Sequence, residues 1–280
     1  MEANKKKELK KIACKVRMGV IEGTFNAKSG HPGGSLSIAD IITYLYFSEM
    51  KVDVNNPDWE DRDRFVLSKG HTAPALYAAL AEKGFFPVDL LKTLRKPDSM
   101  LQGHPSMRYT PGVDMSTGSL GQGISAAVGM ALGAKLKGKD YRVFVPMGDG
   151  EIEEGQVWEA AMLAGNRKLD NLVAIVDFNK LQIDGSLDEV NSPCPIDKKF
   201  EAFGWNVINI NGHCFDQIEE AFENAKNFKG KPTCIIADTI KGKGVSFMED
   251  VCDWHGSAPN AEQYEIAMKE LNAALAELEA

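Results

Sequence analysis

The feature that most constrains this chain is the alternation in its second half. Runs of strand-type residues take turns with stretches of helical period. Residues 141–146 predict a strand, 156–164 a helix, 172–178 a strand, 206–210 a strand, 215–227 a helix and 233–239 a strand. Such alternation implies an α/β fold, an open and mostly parallel sheet with helices on both faces. In the first half, residues 5–22 predict a helix with Leu9, Ile12, Ala13, Val16 and Val20 on one face, and Gly30-His-Pro-Gly-Gly34 breaks it. Residues 37–47 have helical spacing, 64–67 predict a short strand, and 75–83 and 87–94 predict helices. Residues 98–118 read as irregular, and 121–137, rich in Ala and Gly, as a closely packed helix. Asn260 can cap a last, acidic helix through Leu278. No linker-like boundary interrupts the pattern, so residues 1–280 are expected to form one domain, long enough to bury a full core without staples.

Composition narrows the partners. With 44% hydrophobic and 26% charged residues, disorder as the main state is excluded. Thirty-two basic against 40 acidic residues give a net charge of −8, which argues against nucleic acid or an anionic membrane as the main partner. No apolar run approaches 18 residues, so no transmembrane helix is predicted. The basic start leads straight into an apolar helix face, so no signal peptide is read. Five widely spread cysteines without a C-x-x-C pattern fit a reducing, cytoplasmic location.

In open parallel sheets, ligands sit at the carboxyl ends of the strands. The glycine and histidine clusters of this chain follow predicted strands: Lys69-Gly-His71, Gly148-Asp-Gly150, Asn179, Asn211-Gly-His213 and Lys241-Gly-Lys-Gly244. Four of the five histidines (His31, His71, His104, His213) follow glycine, and His255 precedes one. Glycine lets the backbone approach a ligand, and imidazoles can donate to anionic or hydroxyl oxygens. Zinc ligation would want tighter spacing than these histidines have. Asp149 and Asn179 each follow a strand. If those strands are neighbours in one right-handed β-α-β arrangement, both side chains reach the same sheet edge. Their oxygens, with a backbone carbonyl, suit a hard cation such as Mg²⁺ or Ca²⁺ that takes further oxygens from a phosphate. A tight turn is the competing reading of Gly-Asp-Gly taken alone. Thr117-Gly-Ser-Leu-Gly-Gln-Gly123 opens a helix, but no strand leads into it, which argues against a dinucleotide loop.

The Gly-Asp-Gly…Asn pattern resembles the thiamine diphosphate signature. The flanking segments resemble the N-terminal, diphosphate-binding half of transketolase: Ser29-Gly-His-Pro-Gly33, Asp61-Arg-Asp-Arg-Phe-Val-Leu-Ser68, Lys69-Gly-His71, Gly103-His-Pro105, Gly118-Ser-Leu-Gly-Gln-Gly123 and His255-Gly-Ser-Ala-Pro259. The resemblance implies that Asp149, Asn179 and the carbonyl of Leu181 hold the metal, and that Gly150, His71 and Asn179 contact thiamine diphosphate. Gly118, Ser119 and Leu120 would lie against its aminopyrimidine end. His31, His104 and His255 would meet substrate hydroxyls and assist proton transfer, their ordinary pKa near 6.5 suiting that task. Glu154 would link two sites across a dimer, against a plain reading as a solvated carboxylate at a helix start. The implied activity moves a two-carbon ketol fragment from a ketose phosphate to an aldose phosphate, as in the pentose phosphate pathway. Phe178 stands where the family doubles its asparagine, and Lys241-Gly-Lys-Gly-Val245 also resembles deoxyxylulose-phosphate synthase. Another thiamine diphosphate enzyme, such as an oxoacid decarboxylase or dehydrogenase component, and a non-catalytic cofactor-binding homologue are the alternatives. The chain stops at Ala280 with no pyrimidine-binding domain. It is then either a fragment or one subunit of a split enzyme, and the expectation is the subunit, completed by a C-terminal transketolase subunit in a heterotetramer. His213 and Lys241 receive no role.

Overall fold

The computed structural model describes residues 1–279. Five strands, β1 (Arg64–Phe65), β2 (Val143–Gly148), β3 (Leu172–Phe178), β4 (Asn206–Asn211) and β5 (Thr233–Asp238), form one sheet in the order β1-β2-β3-β5-β4. Every pairing is parallel. The longer helices are α1 (Ala3–Ala27), α4 (Ala73–Lys83), α5 (Gln122–Leu136), α6 (Gly155–Asn166), α9 (Phe215–Asn227) and α10 (Ala261–Glu279). Short helices α2 (Pro32–Ser37), α3 (Ala39–Tyr44), α7 (Leu187–Val190) and α8 (Ile196–Ala202) complete the set.

Side chains alternate across a strand, so each central strand feeds two cores. Phe144, Val173, Ile175, Ile235 and Ala237 join a cluster with residues of α1, α3, α4, α9 and α10. Val143, Val145, Met147, Leu172, Ala174, Val176, Cys234 and Ile236 join the opposite cluster with α5, α6 and α8. Each fully buried Val, Leu or Ile contributes about 1.5–3 kcal/mol of hydrophobic stabilisation. The expected α/β fold with helices on both faces is thus present.

Four local expectations need correction. Residues 37–47 are not one helix. Pro32, whose fixed φ and missing N–H suit a first helical position, already opens α2 inside the glycine segment read as a break. One more short helix, α3, and a π turn (Leu45–Glu49) follow. The strand read over 64–67 keeps strand geometry for Arg64–Phe65 only, although its ladder continues through Val66 N–H to Phe144 O (2.9 Å) and Ser68 N–H to Pro146 O (3.0 Å). Residues 88–93 form a 3₁₀ helix. Helix α5 is closely packed on one side only: at Gly123 a Cβ would lie 2.6 Å from Ser68 Cα, whereas Gly129 and Gly133 face nothing within 4 Å. No helix among the described residues is long and apolar enough to cross a membrane.

Candidate active site

The register sets Gly148 of β2 opposite Asp177 of β3, so Asp149 and Asn179 leave the carboxyl ends of adjacent strands. Both line one cavity of about 330 Å³. His31, His71, His255, Gly118, Leu120, Gly150 and Leu181, all selected from the sequence, line the same cavity. Three selected residues do not. His104 packs behind Gly118, where a Cβ would lie 3.2 Å from its ring. Ser119 lines a neighbouring cavity with Thr117 and Gln122. Glu154 is exposed at the head of α6.

Asp149 has both oxygens engaged by backbone: Gly150 N–H donates to one (2.9 Å) and Lys180 N–H to the other (2.5 Å). Burial and then the nearby Asp177 charge push its carboxyl up to about 6, partly opposed by those two donors. A buried carboxylate with a raised pKa is one that a cation would relieve. Asn179 is oriented by Asp177, which accepts from its Nδ2 at 3.4 Å, while Asn179 Oδ1 accepts from Leu181 N–H at 3.2 Å. Asp177 is fully buried and also accepts from Ser37 and Thr239 (2.5 Å each) and from the Lys69 ammonium. Burial alone would raise its pKa, but Lys69 and these donors hold it below the usual value.

Three imidazoles crowd one wall. His31 and His71 are 5.1 Å apart edge-on, His71 and His255 stack at 5.1 Å, and His31 meets His255 at 5.5 Å. Burial, then the charges of Arg95, His104 and Lys241, lower His31 to about 4. Burial, then Lys241, lowers His255 to about 3. Burial and then the Lys69 charge hold His71 well below 6.5, and burial and Arg95 lower His104. The expectation of an ordinary pKa is therefore corrected: these rings are neutral at neutral pH.

Four lining residues escaped the sequence reading of roles. Lys241 donates to Leu181 O (3.0 Å), the carbonyl expected to bind metal, and to His255 Nδ1 (3.1 Å). Burial brings its ammonium down to about 8. Lys69 donates to Gly34 O at 2.9 Å. Glu151 is buried and ties two strand-end segments to the start of α5: it accepts from Gly148 N–H and Gly121 N–H (2.9 Å each) and from Ser68. Gln182 lies beside Gly150, 3.1 Å from where a Cβ would stand. Lysine and glutamate pairs in a sequence give no sign of which will be buried; only their place next to Gly-His and Gly-Asp-Gly could have marked them.

The chain matches the family profile "Transketolase, thiamine diphosphate binding domain" over residues 9–274. The chain belongs to the transketolase family. It is 53% identical over 242 residues to the 6-deoxy-6-sulfo-D-fructose transketolase subunit of Clostridium sp. (strain MSTE9), covering 86% of this chain and 88% of that one. An apulose-4-phosphate transketolase subunit of Phocaeicola vulgatus is 45% identical over 95% of this chain and 94% of its own. The crystal structure of transketolase from Campylobacter jejuni superposes with a TM-score of 0.89 at 33% identity, over 99% of this chain. The chain spans 46% of that transketolase's length and 40% of the human one's. The fold and the diphosphate-binding character of this family member thus agree with its cavity.

The donor set fits the cofactor that the family binds. Asp149, Asn179 and the Leu181 carbonyl offer hard oxygens at one sheet edge, and a cationic nitrogen, Lys241, already sits against one of them. His31 Nδ1 is buried without a hydrogen-bond partner.

Proposed function

We propose that this chain is the diphosphate-binding subunit of a transketolase that transfers a two-carbon ketol fragment between sugars. Its partner is a second chain carrying the pyrimidine-binding domain, and the working assembly pairs two such heterodimers. The observation that carries this reading is the meeting of Asp149 and Asn179 with three neutral imidazoles around one cavity. When bound, thiamine diphosphate supplies the nucleophilic carbon that protein side chains lack.

The chain's own residues then have separable tasks. Asp149, Asn179 Oδ1 and Leu181 O would hold a divalent cation, Mg²⁺ or Ca²⁺, against the diphosphate. Lys241 adds a charge that an anion in the cavity can meet. Gly118 and Leu120 line the end of the cavity assigned to the aminopyrimidine. His31 and His255, neutral at neutral pH, can hydrogen-bond a sugar hydroxyl, and where an anion held in the cavity raises their lowered pKa they can accept its proton and return it. His104 packs behind Gly118, outside the cavity lining, and would back the substrate end of the site from there.

The substrate class is broader than pentose phosphates. One relative is named for a sulfonated ketose and another for apulose 4-phosphate. We therefore take the donor to be a ketose with an anionic terminal group. The test is a coupled ketol-transfer assay of the chain with its partner, thiamine diphosphate and Mg²⁺, offering 6-deoxy-6-sulfo-D-fructose and ketose phosphates in turn. Turnover is expected only from the pair, and Asp149→Ala should lower it at least about 100-fold, the scale of losing metal affinity. Full turnover by the isolated chain, or no calorimetric heat from thiamine diphosphate with the partner present, would overturn the reading.

A further inference from the structure

His213 is the one histidine outside the proposed chemistry, and its surroundings are built with care. Its Nδ1 lies 2.7 Å from Asp40 Oδ2, and its Nε2 lies 2.9 Å from the backbone N of Ile240. A backbone N–H can only donate, so Nε2 accepts and Nδ1 carries the proton given to Asp40. Asp40 is in turn gripped by both terminal nitrogens of Arg17, at 3.1 and 2.6 Å. Burial alone would raise the Asp40 pKa, but Arg17 and His213 bring it down to about 2. A further Arg17 donor, Nε, reaches Lys243 O at 2.9 Å. The three side chains come from α1, α3 and the β4–α9 loop. They therefore hold both ends of a four-residue turn, Ile240 at its entry and Lys243 at its exit.

That turn carries Lys241 into the cavity. Gly242 within it and Gly244 just after it are required by the same geometry. Gly242 has φ +79°, and a Cβ there would meet Met248 O at 2.1 Å; its N–H donates to Gly33 O at 2.9 Å. Gly244 has φ +94°, and a Cβ there would meet Arg17 Cδ at 2.9 Å. The Arg17 side chain thus occupies the space that a side chain at 244 would take. Lys241 Nζ, the group so delivered, reaches Leu181 O, Gln182 O and His255. A long amine on a mobile backbone would give up rotamer and backbone freedom on meeting an anion. A turn fixed beforehand removes the backbone share of that cost.

We propose that Arg17, Asp40 and His213 are positioning residues, a clamp that fixes the Ile240–Lys243 turn and so presets the Lys241 ammonium for the cofactor's diphosphate. This rests on the function proposed above, and the experiment separates the two. Hydrogen exchange of the full chain without cofactor reads the clamp directly. His213→Leu should speed exchange of the amides across 239–248 about tenfold, the scale of one lost hydrogen bond, and leave the β2 and β3 amides slow. His213→Gln, whose amide can both accept and donate, should restore much of the protection. With the partner present, His213→Leu should weaken thiamine diphosphate binding about tenfold at nearly unchanged kcat, and His213→Gln should recover it. Unchanged exchange at 239–248, equal loss throughout the sheet, or a lowered kcat at unchanged cofactor affinity would each overturn the clamp. Failure of the unsubstituted pair to bind cofactor would overturn the functional reading while leaving the exchange result standing.

Discussion

An imidazole buried without a counter-charge stays neutral, and this sets the acid behaviour of the site. His31 and His255 take up a proton in the folded chain only near pH 4 and 3, whereas an unfolded histidine does so near 6.5. Above about 6.5 neither state binds the proton, and these residues leave stability untouched. As pH falls from 6.5 toward 4 the unfolded state binds more protons, so stability declines. Asp149 works the other way: its pKa is raised from 3.8 to about 6, so its ionised form costs stability above that range and protonation restores it. A variant compared with its parent cancels the Asp149 contribution. His31→Asn is therefore expected to make the fall in Tm between pH 6.5 and 4 shallower, measured by scanning calorimetry of the cofactor-free chain. An identical slope in both proteins would show that His31 is not buried in its neutral form. Asp149, Asn179 and His71 were legible in the sequence because they follow predicted strands, and His31 and His255 because each stands next to a glycine in a segment that resembles transketolase. Their charge states were not, because the lowering of His255 depends first on burial and then on Lys241, which sits fourteen positions away in sequence and 3.1 Å away in space.

Whole elements were legible wherever period and length were both sufficient. Strand β3 and helix α9 carry enough apolar residues to show their pattern, and both lie over the expected residues. Helices α7 and α8, of four and seven residues, are too short for a 3.6-residue period to register. The π turn after α3 leaves no local mark that separates it from continued helix. Capping residues were more informative. Asn260 Oδ1 accepts from Gln263 N–H and Gln263 Oε1 accepts from Asn260 N–H, both at 2.9 Å, a reciprocal box at the start of α10. That helix returns to α1: Ala267 and Leu271 are buried in the same cluster as Leu9 and Ala13, and Cys14 donates to Leu271 O. Loss of the cap frays an end rather than a core contact. Asn260→Ala should thus cost about 1 kcal/mol, and Asn260→Asp almost nothing. In a chain of this size that is a fall in Tm of about 2–4 °C. A fall of that size with Asn260→Asp as well would mean the side-chain oxygen is not what matters.

At the scale of the molecule, the two faces of the sheet are covered unequally. The face with α1, α4, α9 and α10 carries a second layer, because α10 lies on α1. The other face has only α5, α6 and α8, and the outer sides of α5 and α6 stay open. Met162 is 56% and Leu163 44% exposed, Leu136 is 84% exposed, and Gly129 and Gly133 face no atom within 4 Å. Apolar side chains gathered with small residues on helices already packed together mark an association surface more often than a solvated one. Glu154, which the family resemblance assigns to a contact between two sites, heads the same helix α6. The joint substitution Met162→Glu with Leu163→Glu changes only exposed positions, so the isolated chain should keep its Tm to within the effect of about 0.5 kcal/mol. Association with a second copy or with the partner chain should be lost, because the new carboxylates would face one another or be buried without counter-charge. Sedimentation velocity with increasing partner concentration measures this, and Val88→Glu, at a 47% exposed position on another element, is the control for added charge alone. If the double variant assembles as the parent does, the open face of α5 and α6 serves no interface. If Val88→Glu also prevents assembly, the loss reflects charge rather than this surface. Ketol transfer should follow assembly in both variants, since neither substitution touches the cavity at the strand ends.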